Sequence, residues 1–303
     1  MLSQVININE TIKDLERRGL KITDYKLLRY YIANFNINTF LVEYKDFFLD
    51  DNGRFDNATS DDLINLYRFD RDFGNHLLRE ILVLEKIINT NVVYATINYF
   101  HLKDRCLLKL DKNRLKEEVL PNYIYIDPPL SFEQLLVKMI RYLDAKKNTR
   151  LLIDHNCKDQ IFKWKNVPLD IMCLSWSFAT TFSFFISLNT NIKDLVLQNL
   201  NINSKNVIGF CDLIKNVINI RNLISHNMAI YEEDIKYQSD NLKSFYYDLT
   251  GEKIDGDFRL PHIIVCIAKL SGYSELYNKT IKQINLLNIT DKHKQKILEL
   301  FSL

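Results

Sequence analysis

The residues best suited to chemistry close one apolar segment, FCDLIKNVINIRNLISHN, residues 210–227. Read as a helix, Val207, Phe210, Ile214, Val217, Arg221 and Ile224 follow in steps of three and four and form one stripe. Asp212, Lys215, Asn216, Asn219 and Asn222 lie off it. A guanidinium on an apolar face is costly unless it meets a carboxylate, a phosphate or the cleft of an interface. Its fork of donors matches planar or tetrahedral oxyanions and stays charged throughout. His226, five residues on, adds an imidazole, the side chain that moves protons near neutral pH. Five residues turn about 140° on an ideal helix. Arg221 and His226 therefore converge on one ligand only if the helix ends near His226 or the long arginine reaches round.

The spacing R-x-x-x-x-H is weak by itself, because it occurs three times: Arg71–His76, Arg150–His155 and Arg221–His226. Context separates them. Arg71 lies in the charged run DRDFGNH, and Arg150 borders the polar joint KKNTR. The third alone has Asn directly after Arg and ends a long apolar helix. A plain structural alternative stays open, with Arg221 on a buried carboxylate and His226 capping the helix C-terminus, where a cation is favoured.

The elements that must hold these residues are helices. Only 7 Gly and 5 Pro in 303 residues are too few for the frequent turns of a sandwich or barrel. The expected class is all-α. Asn9 to Gly19 reads as a first helix, and Thr23, Ser60, Ser204 and Thr290 read as caps of later ones. Ser131 with Gln134 reads as a capping box. The helix after Ser60 runs on as one long helix or a kinked pair. PNYIYIDPPLS reads as an extended loop, and LTGEKIDGDFRLP as a hairpin or an excursion. Residues 1–55 read as an N-terminal helical region and 56–303 as the main helical domain, with one continuous domain as the alternative.

Net charge is +2, from 40 basic and 38 acidic side chains, so any nucleic-acid surface must be a local patch. Five widely spaced cysteines with no C-x-x-C give neither a disulfide framework nor a zinc site, and fit a reducing compartment. The N-terminus carries no apolar signal region. Residues 171–192 are uncharged but rich in Ser and Thr, and read as a buried central helix rather than a membrane span.

RNLISHN resembles the R-N-x-x-x-H motif of HEPN-domain ribonucleases, and the chain resembles the Abi-like family of bacterial abortive-infection proteins, of AbiD/AbiF type. Four ordered landmarks over roughly residues 8–235 carry the resemblance. They are TIKDLERRGLKITDYKLLRYYIANFNINTF, INLYRFDRDFGNHLLREILVLEKIINTNVVYAT, NVPLDIMCLSWSFATTFSFFISL and IRNLISHN. The chain departs from the family pattern at Asn227, often a second His, and at Ala179, often Gly. It has Met228 where HEPN toxins under nucleotidyltransferase control carry Tyr, which argues against that control.

The resemblance implies a HEPN-type helical bundle with an N-terminal helical extension. It implies a metal-independent endoribonuclease toxin without cofactors, active in the cytoplasm as a homodimer. RNA is cut by its own 2′-OH to give a 2′,3′-cyclic phosphate and a 5′-OH, and a small RNA or a protein antitoxin restrains the enzyme. Arg221 would hold the phosphate, His226 would move the proton, and Asn222 would orient the histidine or hold a phosphate oxygen. Glu85, in the LEKII stretch, is the candidate supporting carboxylate. Lys13, Arg17, Arg18 and Lys21 form a candidate RNA-binding patch, although a solvated face has the same composition. Three rivals remain: a catalytically silent RNA-binding scaffold or sensor, a composite site completed by another R-x-x-x-x-H pair, and a membrane-acting toxin using residues 171–192.

Overall fold

The computed structural model describes residues 7–35, 37–102, 105–107, 110, 112–122, 131–145, 167–231, 238–273 and 275–303. Its longer helices, in chain order, are α1 (Ile8–Arg17), α2 (Tyr25–Asn34), α3 (Ser60–Tyr99), α4 (Phe132–Ala145), α5 (Phe178–Ser187) and α6 (Thr190–Asn199). Then come α7 (Val207–Ser225), α8 (Asp240–Thr250), α9 (Leu260–Ser271), α10 (Leu276–Asn285) and α11 (Asp291–Leu300). Among the described residues extended pairing is limited to two isolated bridges, Lys21 with Thr59 and Leu49 with Phe55. The fold is all-α.

The chain forms two compact units, each assembled from separate stretches. The first holds Met1–Ile81, Asn219–Lys236 and Arg259–Leu303; the second holds Leu82–Ile218 and Tyr237–Phe258. The boundary expected near residue 55 falls inside the first unit. Hydrogen bonds explain why: the Phe55 amide donates to the Arg18 carbonyl at 2.9 Å, and the Lys21 amide to Ala58 O at 3.1 Å.

In the first unit an aromatic core carries the packing. Tyr44 is fully buried and stacks on Tyr231 with ring centroids 5.6 Å apart, while Phe40 and Tyr67 meet edge to face at 5.4 Å. Two caps differ from the expected ones for a single reason. Thr23 and Ser60 are bonded to each other, hydroxyl to hydroxyl at 2.7 Å and Thr23 amide to Ser60 Oγ at 3.0 Å. Asp24 therefore caps α2, accepting from the amides of Lys26 and Leu27. Thr59 and Asp62 form the box that starts α3: Asp62 Oδ2 accepts the Thr59 amide at 2.8 Å, and Thr59 Oγ1 accepts the Asp62 amide at 3.1 Å. Helix α3 runs unbroken for 40 residues, through Gly74. Thr290 does precede α11, but its hydroxyl bonds His293 Nδ1 instead of a first-turn amide.

In the second unit Ser131 and Gln134 make the expected capping box, 2.7 and 3.1 Å. The uncharged stretch 171–192 is mostly buried, with Leu174, Thr190 and Asn191 exposed, and is not one helix. A short turn Leu169–Met172 passes through a tight 3₁₀ turn to Trp176, whose backbone is extended, and Ser177 starts α5. Trp176 anchors the break by donating its indole N–H to Met139 O at 2.7 Å. Among the described residues no helix is long and apolar enough to cross a membrane. The segment after α8 is a loop rather than a hairpin. Gly251 ends the helix in the left-handed region, and the Gln238 side chain holds both backbone groups of Phe258. PNYIYIDPPLS falls largely outside the described residues, and Arg150–His155 does so entirely.

Candidate active site

Helix α7 starts from a 3₁₀ turn at Ser204–Asn206, capped by Asn203 Oδ1 rather than by Ser204. Of the expected stripe, Phe210, Ile214 and Val217 are wholly buried and Ile224 nearly so. Asn216, placed off the stripe by the wheel, is also buried, with its amide donating to Asp212 O at 3.1 Å.

The helix ends at His226. Asn227 adopts the left-handed conformation, φ 56°. Its amide donates to Ile224 O at 3.0 Å, and the Met228 amide reaches back to Leu223 O at 2.9 Å. These two bonds make a Schellman motif with His226 at the cap and Asn227 at the position that needs positive φ. Asn tolerates that conformation far better than most residues. The departure at Asn227 thus has a local conformational reason.

Arg221, Asn222 and His226 therefore occupy the last turn and the cap of α7. Arg221 is half-buried, whereas Asn222 and His226 are exposed. Arg221 Nη1 faces Asn222 Oδ1 at 3.4 Å, and its buried Nε has no hydrogen-bond partner among the described residues. No ion pair to a carboxylate holds this guanidinium among them. The His226 amide donates to the carbonyls of Asn222 and Leu223, so the two side chains start from one tight turn.

The chain beyond the motif is held by groups to which the sequence reading gave no role. Asp70, on α3, is completely buried. It accepts from the amides of Ile230 and Tyr231 at 3.1 and 2.8 Å, from the Tyr44 hydroxyl at 2.6 Å and from Arg71 Nη2 at 2.5 Å. Arg71 also donates to Met228 O, and Glu43 accepts the Ala229 amide at 2.5 Å. Four consecutive residues after the motif are thereby fixed. Burial pushes the Asp70 carboxyl up, opposed chiefly by the Arg71 charge and the Tyr44 hydroxyl. Burial likewise raises Tyr44, with the Asp70 charge adding to it. Glu43 is raised by burial against the pull of the Ala229 amide. A signal was present: Asp70 and Arg71 belong to the YRFDR run of the second landmark.

The other candidates are dispersed. Arg71 is committed to this buried cluster, while His76 bonds Asp72 O at 2.8 Å on the exposed surface, so that pair does not form a site together. Glu85 lies half-buried on α3 within the second unit. Lys13, Arg17 and Lys21 are exposed. Arg18 is turned inward, with its guanidinium on Gly53 O at 3.0 and 2.9 Å and over the Phe55 ring.

Residues 21–232, more than half of the chain, match the model of the Abi-like protein family. The chain belongs to the Abi-like family. The matched span takes in Glu43, Asp70 and Arg71 as well as Arg221 and His226, and stops just past Tyr231, where the anchored segment ends. Lys13, Arg17 and Arg18 precede it, and α8 to α11 of this Abi-like chain follow it. No curated protein and no solved structure matches the chain.

Proposed function

We propose that this Abi-like protein is a metal-independent endoribonuclease of the abortive-infection type, with the R-N-x-x-x-H motif as its site. The observation that carries this reading is the end of α7. There an arginine with no carboxylate partner among the described residues and an exposed histidine share the last turn and cap of one helix.

RNA supplies its own nucleophile. The protein must take the proton from the 2′-OH, stabilise charge on the pentacoordinate phosphorus and protonate the departing 5′-oxygen. Arg221 serves the non-bridging oxygens through the forked donors of its guanidinium. His226 moves protons, and Asn222 supplies a further hydrogen bond at the phosphate. One imidazole cannot act as base and acid in a single displacement without a second group. A homodimer would bring the second motif, and products would carry a 2′,3′-cyclic phosphate and a 5′-OH. An antitoxin, RNA or protein, would restrain the enzyme in the cytoplasm.

One observation favours a second reading, a catalytically silent RNA-binding scaffold or sensor: no side-chain hydrogen bond orients the His226 ring among the described residues. The deciding experiment is cleavage of a mixed RNA pool in EDTA by wild type and His226→Ala, with end-group analysis. Loss of a proton-transfer group costs about 10²–10⁴-fold. Cyclic-phosphate ends from the wild type alone support the nuclease. Binding without cleavage by either protein supports the scaffold.

A further inference from the structure

In the first unit a concavity lies between α3 and α10, with a volume of about 260 Å³. Arg79 from α3 and Lys279 from α10 both approach the Tyr273 ring, at 5.7 and 4.6 Å from its centroid. Lys282, one turn beyond Lys279, and His76, one turn before Arg79, complete a basic rim. No carboxylate is among the described residues lining the cavity. Glu80 touches Arg79 at 3.0 Å and offsets part of its charge. In a chain of net charge +2 this is a local concentration of positive potential.

The walls are not basic. Tyr273, Leu276 and Leu286 give them an apolar character, and Leu286 is 74% exposed at the mouth. A bare phosphate would use the rim and waste the walls, while an apolar ligand would waste the rim. Gln283 adds an amide that can read a ring edge, its Nε2 lying 3.4 Å from His76 Nδ1. The volume falls just below the roughly 300–1,000 Å³ of small-molecule pockets, which suits a single nucleotide. We propose that this cavity binds a nucleoside phosphate, with the base against Tyr273 and the leucines and the phosphate on Lys279, Lys282 and Arg79.

The cavity is separate from the R-N-x-x-x-H motif. A Cβ on Gly74 of α3 would lie 3.5 Å from Ile224 of α7, so Gly74 marks the face of α3 turned to the motif helix. His76 is two residues on, about 200° around the axis, and faces the cavity. The proposal is therefore independent of the nuclease reading, which the His226→Ala cleavage comparison decides on its own.

The ligand could be a free nucleotide or one residue of an RNA strand, and two calorimetric titrations separate them. One uses AMP with the full wild-type chain. The other uses a 5′-phosphorylated RNA hexamer with the His226→Ala chain, so that the strand stays intact. Each is repeated with Lys279→Gln/Lys282→Gln, both exposed positions whose replacement should leave the melting temperature unchanged. Loss of two charge-assisted contacts should weaken binding about tenfold or more. AMP binding weakened in this way identifies a free nucleotide. Hexamer binding so weakened, without AMP binding, identifies an RNA residue. Binding unaffected by the double substitution, no binding of either probe, or inorganic phosphate binding as tightly as AMP would overturn the proposal.

Discussion

Asp70 Oδ1 accepts the main-chain amide of Tyr231 at 2.8 Å, joining residues 161 positions apart. The same buried carboxylate holds the Ile230 amide and the Tyr44 hydroxyl, and Arg71 beside it holds the Met228 carbonyl. The exposed end of α7 thus rests on a segment whose backbone groups are taken up by buried and half-buried side chains of the first unit. A rigid mount of this kind suits the site proposed at the helix end.

Asp70→Asn should be the most damaging conservative change near the site. It leaves Arg71 without its charge partner and cannot accept from two amides and a hydroxyl together. Breaking a buried pair costs about 3–5 kcal/mol. Urea unfolding should report that loss, and amide exchange at Ile230 and Tyr231 should quicken. A change below about 1 kcal/mol would remove the carboxylate from its anchoring role.

Arg221→Lys separates chemistry from folding. Among the described residues Arg221 makes no ion pair to lose, so stability should move by less than about 0.5 kcal/mol. Cleavage in the EDTA assay should fall about tenfold or more, because a single ammonium cannot replace a fork of donors on a phosphate. Unchanged cleavage would argue against phosphate contact by Arg221.

Asn227 tests the helix end. Asn227→Val places a β-branched residue at φ 56° and should cost about 1–2 kcal/mol, whereas Asn227→Gly should be nearly neutral. Equal melting temperatures for the two variants would contradict the Schellman ending.

Gly209→Ala probes the second unit. A Cβ there would stand 2.3 Å from Asn241 O and 2.7 Å from Phe245 Cβ, too close for either to yield cheaply. The expected loss is about 1–3 kcal/mol, read from the denaturation midpoint. A fully stable variant would mean that α7 and α8 pack less tightly than described.

His293 should make stability depend on pH. It is buried against Phe47 and Phe48, and its Nδ1 lies by the Thr290 hydroxyl. Burial lowers its pKa; the Lys292 and Lys296 charges lower it further, while Asp62 and Asp56 oppose this. The neutral ring's contribution is complete above the unfolded value, about 6.5, and is lost as pH falls through the lower folded value. Urea midpoints at pH 7.5 and 5.5 should differ more for wild type than for His293→Gln. Equal differences would show that this ring is not the group responsible.

What was legible in the chain lay within a turn or two of itself. The apolar stripe of α7, the Ser131–Gln134 box and the grouping of Arg221, Asn222 and His226 depend on residues no more than five positions apart, and the scarcity of Gly and Pro is plain from composition. Such patterns carry their own geometry, because helical periodicity and capping are local. Where a partner came from afar, the local reading gave way. Thr23 and Ser60 look like caps, but they bond each other across 37 residues and pass capping to Asp24 and Thr59. The apolar run after Pro168 looks like one helix, yet the indole of Trp176 is drawn to Met139 and the helix breaks there.

By itself, then, the sequence determined the helical class and the residues that stand together at the end of α7. Tertiary structure decided that Asp70, Arg71 and Glu43 hold the segment behind them. It also decided that Arg18 turns inward, and that His76 and Arg79 meet Lys279 across a cavity. The reason is physical: a buried carboxylate or a convergent set of cations is defined by what surrounds it, and those surroundings come from stretches more than a hundred residues apart.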